Sequence, residues 1–275
     1  MRESHPALDR ALPADAVLWR YLDFPKLVSL LKEGALWFSR ADLLGDPLEG
    51  SFTLAREIER QRILDDPPEG RTRAVQEDIF KHNARVTAEA RSMVYVNCWH
   101  QGSHESMALW QGYGGGPFAV ALRSTFGLLD SLLPEKFSGS SIVAGGAAAA
   151  PDAKPPEAMP IYLTRVSYID HSSTTERIKQ ETNLFSPFSC KSVSYSHESE
   201  VRGLYWNIPR FDPDTLRPVH PAGLFVSVDV QQLITDIVVS PIAPKWFAPV
   251  VGDMMAKYGY VFPMLPSLTS RDAVY

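Results

Sequence analysis

Leu18-Trp19-Arg20-Tyr21, Leu22-Asp23-Phe24-Pro25-Lys26-Leu27-Val28-Ser29-Leu30-Leu31-Lys32-Glu33-Gly34 and Ala35-Leu36-Trp37-Phe38-Ser39-Arg40 read in succession as strand, short helix and strand. Leu27, Leu30 and Leu31 recur at helical spacing, whereas Trp19, Tyr21, Trp37 and Phe38 suit a pleated surface. Asp23 is placed to cap the helix, Pro25 fits its first turn, Lys32 its last, and Gly34 supplies a left-handed exit. The turn that follows, Gly45-Asp46-Pro47-Leu48-Glu49-Gly50, carries two carboxylates and a rigid proline, more than a connector requires. It marks a candidate site, in which Asp46 is expected to accept backbone amides and Glu49 to face a ligand.

The chain has 275 residues, 45% hydrophobic and 21% charged, enough to bury a substantial core. No apolar run approaches the roughly 20 residues that cross a bilayer, and the polar start through Pro6 and Pro13 lacks a signal-like apolar segment. These features predict a soluble, cytoplasmic protein without a membrane partner. A net charge of -5 with interspersed signs gives no basic footprint for general nucleic-acid binding. Cys98 and Cys190 are too few for a disulfide framework or a four-cysteine metal site, and both read as buried structural thiols.

Further along, Ser51 to Leu64 and Arg71 to Ser92 are expected as helices, with Val75, Ile79, Val86 and Ala90 forming the apolar side of the second. Their many charges read as a solvated face. Met93 to Trp99 is a core strand delivering His100 to a turn, and Ser103 is expected to cap a helix through Trp110. The glycines at 112 and 114 to 116 precede a strand, Phe118 to Leu122, and lack the Lys-Ser/Thr of a phosphate-binding loop. Ser124 is expected to cap a helix through Leu133. A further helix is expected from Thr174 to Asn183, and later strands and one helix close the chain. The sum is an α+β fold, a mixed and mainly antiparallel sheet core with an opening β-α-β unit and flanking helices. One domain is expected over 17–275, with a mobile insertion at about 138–160 and a flexible segment over 1–16.

Alternation from Glu198 to Trp206 argues for a strand that carries Glu198, Glu200 and Arg202 on one face and Val201 and Tyr205 on the other. An exposed face laced by ion pairs is the bland reading. The functional one is that two carboxylates beside a pocket suit group transfer, one orienting a ribose hydroxyl or stabilising a developing cation, the other receiving a proton.

Gly45-Asp46-Pro47-Leu48-Glu49, Cys98 with Met107-Ala108-Leu109-Trp110, and Glu198-Ser199-Glu200-Val201-Arg202 together resemble a widespread bacterial family of domains of unknown function. Gly45 stands where that family usually has Asn, and His100 where it often has a Ser-like residue. The opening strand-helix-strand and the late Glu-x-Glu are also similar to the catalytic core of ADP-ribosyltransferases. That resemblance implies NAD as substrate, with Glu200 binding the ribose and stabilising the transition state and Glu198 addressing an acceptor. It implies a nucleotide-binding set of Arg20, Tyr21, Ser39, Glu49 and Trp110. Arg20 and Glu200 are then expected to face one cleft, and their lying on opposite faces of the sheet would end that reading. The middle Ser-Thr-Ser motif has no clear counterpart, Ser39 and Ser194 both being candidates.

Three readings stay open. The chain is an NAD-using ADP-ribosyl transferase with an unknown macromolecular acceptor, a non-catalytic domain recognising a ligand or protein through Asp46, Glu49 and Trp110, or a metal-dependent hydrolase using His100, His104, Glu105 and His197. Gly102 and the expected cap at Ser103 break the helical spacing that the third needs, so no metal is expected.

Overall fold

The computed structural model describes residues 5–10, 12–139, 157–178, 183–207, 210–211 and 218–270. Its opening unit forms as its residues dictate: β1 (Val17–Asp23), α1 (Phe24–Glu33) and β2 (Ala35–Arg40). Asp23 Oδ1 accepts from Lys26 N at 2.8 Å, and Gly34, at φ 57°, closes the helix by donating to Leu30 O. The buried face of α1 is Leu27, Leu30 and Leu31, each contributing roughly 1.5–3 kcal/mol on burial.

There follow α2 (Leu54–Asp65), α3 (Arg73–Met93), β3 (Val94–Gln101), α4 (Met107–Tyr113), β4 (Ala119–Thr125), α5 (Phe126–Leu132) and β5 (Lys136–Phe137). Next come β6 (Met159–Arg165), β7 (Ser167–Ile169), β8 (Cys190–Ser192), β9 (Glu200–Trp206), β10 (Arg210–Phe211) and β11 (Pro218–Val219). The chain closes with β12 (Gly223–Ser227), α6 (Val230–Leu233), β13 (Asp236–Val239), α7 (Phe247–Lys257) and β14 (Met264–Leu265). The main sheet runs β14-β13-β4-β1-β3-β9-β6-β5, antiparallel except for β13 with β14. The fold is α+β with a mainly antiparallel sheet.

Strand β3 divides its partners. Its end pairs with β1, Trp19 opposite His100, while its start pairs with β2, Ser39 opposite Val96. Strands β1 and β2 are not paired with each other, so Asn97 to Trp99 front a gap between them. On one face of the sheet Leu18, Leu22, Phe38, Tyr95, Trp99, Val201 and Tyr205 join α1, α5, α6 and α7 in the principal core. On the other, Trp19 and Tyr21 pack with Leu109 and Trp110 of α4, and Val94, Val96 and Leu204 pack with Phe188 and Ala90 of α3.

Several local expectations are corrected. His100 lies within β3, and α4 starts at Met107 rather than after a cap at Ser103. Thr125, not Ser124, caps α5, accepting from Leu128 N at 3.3 Å. Residues 174–178 form no helix, and 179–182 lie outside the described residues, as do 140–156 of the expected insertion. Of the expected apolar side of α3, Ala90 is buried, but Val75 and Val86 are exposed and Gln76 is buried in their stead. Part of the expected flexible start is held: Asp9 O accepts from Arg165 N at 2.7 Å and from Thr164 Oγ1 at 3.2 Å. Among the described residues no helix is long and apolar enough to cross a membrane.

Candidate functional site

Alternation along β9 sends Val201 and Tyr205 into the principal core and Glu200, Arg202 and Leu204 to the opposite face. That face is buried, against the bland reading of exposed ion pairs, because the Glu49 turn and the segment before β8 cover it. Arg202 places all five of its N–H donors. Nε donates to Glu200 Oε1 at 2.7 Å, Nη2 to Glu200 Oε2 and Glu49 Oε2 at 3.0 Å each, and Nη1 to Glu49 Oε1 and to Phe188 O. A buried guanidinium is tolerated only with such complete pairing.

The turn divides its two acids as follows. Asp46 Oδ1 accepts from Leu48 N at 2.9 Å, the structural part expected of it. Glu49 is 1% exposed and spends both oxygens on Arg202, which corrects its expected ligand-facing role. Burial pushes the Glu49 carboxyl upward despite Arg202. Burial also acts on Glu200, but Arg202 and Lys191 outweigh it and hold that carboxyl down to about 2. Arg202 in turn is raised, its two carboxylates prevailing over burial.

Glu198 is not on the strand. It ends a 3-10 turn, Val193–Glu198, and Ser199 then takes a left-handed conformation at φ 40°, a costly choice for a residue with a Cβ. The reversal aims the Glu198 carboxylate at the same cluster, where Lys191 Nζ donates to it at 2.5 Å and Tyr113 OH at 2.6 Å. Lys191 also reaches Glu200 Oε2 at 3.5 Å and so links the two acids. Tyr113 is 47% exposed, which leaves Glu198 one side chain from solvent and Glu200 behind it. Burial and Glu198 together push the Tyr113 phenol strongly upward, so it stays a donor.

Opposite β9, Cys98 and His100 face Arg202 and Glu200 across the ladder. Burial and Glu200 push the Cys98 thiol well up, so it stands as a neutral group against the acids. His100 Nδ1 lies 2.5 Å from Glu198 O; a carbonyl only accepts, so Nδ1 carries the proton. Burial depresses His100, leaving the ring neutral with Nε2 as a base. Gly102 makes room for it, since a Cβ there would stand 2.6 Å from Nε2.

Arg20 lies elsewhere. Between Leu18 and Leu22 on β1 it shares the principal-core face with Trp99, its guanidinium 5.8 Å from that ring. Glu200 pairs with His100, on the other face, so the expected Arg20–Glu200 cleft is not formed. Strand alternation is the physical reason, since neighbours along β3 point oppositely. Arg20 sits at the gap between β1 and β2, where Nη2 donates to Trp37 O at 3.3 Å and Nη1 is buried without a partner among the described residues. Burial pulls its pKa down to about 10.

Of the remaining expected nucleotide-binding set, Tyr21 and Trp110 do share the face of Glu200, ring centroids 5.0 Å apart, and Ser39 lies opposite Val96 on it. Tyr21 OH accepts from Ser106 N at 2.6 Å, and Trp110 Nε1 donates to Glu105 Oε2 at 2.8 Å, so both polar groups are engaged. Glu105 also accepts from Ser267 Oγ at 2.8 Å and from Leu268 N. These bonds hold α4, and hence Tyr113, against the C-terminal segment. Among the described residues no group of three or more His, Cys, Asp or Glu is placed to hold a metal ion.

Lys191, Tyr113 and Tyr168, whose OH accepts from Glu200 N at 2.8 Å, were not singled out from sequence. The Lys191 side chain, sited before a run of small polar residues, gave no periodic signal, and Tyr113 was masked by the flanking glycines.

No protein-family model and no curated protein matches the chain. Among solved structures it is similar to a Thermus sp. 2.9 DarT in complex with carba-NAD+, at 12% identity and TM-score 0.33, over 93% of this chain and 97% of that one. It is likewise similar to Thermus sp. 2.9 DarT in complex with ADP-ribosylated ssDNA, at 14% identity and TM-score 0.33, over 98% of each chain. At these identities and scores the likeness fixes neither the fold nor an activity.

Proposed function

We propose that the chain transfers an ADP-ribosyl group from NAD to an acceptor, with Glu198 and Glu200 as the acids of the site. The observation that carries the reading is the Glu198-x-Glu200 pair, bridged by Lys191, with Glu198 one half-exposed tyrosine from solvent. Breaking the bond between nicotinamide and ribose develops positive charge on the ribose, and a fixed carboxylate stabilises that charge. Lys191 and Tyr113 orient Glu198 for this; Arg202 and Glu49 fix Glu200 behind it. Arg20 and Glu200 lie on opposite faces of the sheet, the outcome set against the transferase, so a grip on NAD shared by those two is given up and the proposed chemistry stands on the two acids alone. Tyr21 and Ser39 remain on the face of the acids, and Arg20 Nη1 remains a buried donor open to an anion.

A second reading, a recognition domain without chemistry, is favoured by the complete engagement of Glu200, whose oxygens both accept from Arg202. One experiment separates the two: a thermal-shift titration with NAD, then nicotinamide release by wild type, Glu198→Gln and Glu200→Gln. The transferase reading expects a rise in Tm with NAD and turnover that Glu198→Gln abolishes with NAD affinity kept. No shift at millimolar NAD and no release would leave the recognition domain.

A further inference from the structure

Away from the acids, the helical hairpin α2–α3 and the turn after Glu49 enclose a cavity of about 510 Å³. Its charged lining is one-sided: Arg56, Arg60 and Arg91 against Glu57, which is already bound to Arg60 Nη1 at 2.9 Å, while His171, whose pKa burial pulls below its ordinary value, adds a neutral ring. Arg91 Nε and His171 Nδ1 are buried without hydrogen-bond partners among the described residues. Two aromatic rings stand beside the cations: Arg56 lies 3.5 Å over Phe52 and Arg60 5.1 Å over Phe80. The remaining polar side chains are Ser51, Thr53, Asn83 and Thr87; the three hydroxyls donate to Leu48 O, Glu176 O and Asn83 O and keep lone pairs to accept with, and the Asn83 amide can donate or accept. The arginines of this hairpin read from sequence as a solvated face. The fold turns several of them inward.

Guanidinium forks match phosphate oxygens bidentately and stack on flat rings, and an unpaired buried guanidinium nitrogen is costly until an anion meets it. We infer that this cavity binds a nucleoside phosphate, its phosphate on Arg91 and His171 and its base beside Phe52 and Phe80. The volume falls within the range of about 300–1,000 Å³ usual for small-ligand sites. The nucleoside phosphate is either free or one unit of a single strand, and the same contacts serve both. This inference stands on the cavity and does not rest on the transferase reading.

The test is isothermal titration of the whole chain with inorganic phosphate, AMP and a short single-stranded oligonucleotide, for wild type, Arg91→Gln and Arg60→Gln. Expected is binding of AMP or of the oligonucleotide, weakened about tenfold or more in Arg91→Gln, with a shallower salt dependence. Tighter AMP binding assigns the free nucleotide; tighter oligonucleotide binding, the strand. If Arg91→Gln fails to fold, Arg60→Gln, whose guanidinium lines the same cavity, carries the same expectation. No binding of either probe, affinity unchanged by both substitutions, or inorganic phosphate binding as tightly as AMP would each overturn it. Wild type and Glu198→Gln should bind these probes equally, so a failed transferase assay leaves this result untouched.

Discussion

Arg20 and Arg202 are both arginines on central strands of one sheet, yet they live in opposite circumstances. Arg202 places every donor on two carboxylates and a carbonyl, and its charge is locked in. Arg20 meets one carbonyl and a ring face, no acid among the described residues is bonded to it, and its pKa falls to about 10. The contrast teaches that a buried charge whose every bond is made is architecture, while one with an unmet donor is a place where something else can bind.

The sharpest way to break this contrast is Arg202→Met, which strands Glu49 and Glu200 without a counter-charge. It should cost about 3–5 kcal/mol, read as a large fall in the midpoint of urea unfolding. A loss under about 1 kcal/mol would show that the cluster is not the keystone of this face.

Acid titration comes next. The Glu200 carboxyl is held down to about 2, below its ordinary value near 4.3. A depressed carboxylate contributes stability that is complete above the unfolded pKa and lost as pH falls through the folded one. The stability gap between wild type and Glu200→Gln should therefore be full above about pH 5 and shrink toward about pH 2. Chemical unfolding at pH 7, 4 and 2.5 checks this; a gap that widens in acid would reverse the sign.

The opening β-α-β unit was legible because its signals are local: leucine spacing, an aspartate cap and a glycine exit all act within one turn of one another. The site was half legible. Glu198, Glu200 and Arg202 were readable as a pattern, and Asp46 as a turn former, but period two placed Glu198 on a strand that begins only at Glu200. Nothing local announces a left-handed serine at 199. Which face Arg20 takes was hidden for another reason, since it depends on the register of β1 against β3, a contact between residues far apart in sequence. Lys191 and Tyr113 meet Glu198 only through the tertiary fold.

A smaller effect is expected from Tyr113→Phe, which removes one hydrogen bond to Glu198 on a half-exposed ring. Stability should drop by about 0.5–1.5 kcal/mol, while nicotinamide release, if Glu198 is oriented by this phenol, should fall more than the melting point suggests. The smallest effect belongs to Arg20→Met. Removing a charge without an acid partner should shift stability by less than about 1 kcal/mol in either direction; a loss as large as that of Arg202→Met, in the same urea unfolding, would erase the distinction between the two arginines.

The clamp on Glu105 sets a timetable. Ser267 follows it by 162 residues, and until that segment has left the ribosome the Glu105 carboxylate has, among the described residues, only Trp110 to hold. Synthesis proceeds from the N-terminus, so α1 and the first strands can settle early, whereas the helix that carries Tyr113 is secured by residues made much later than itself. The nascent chain thus acquires its frame before it acquires a fixed lid over its acids.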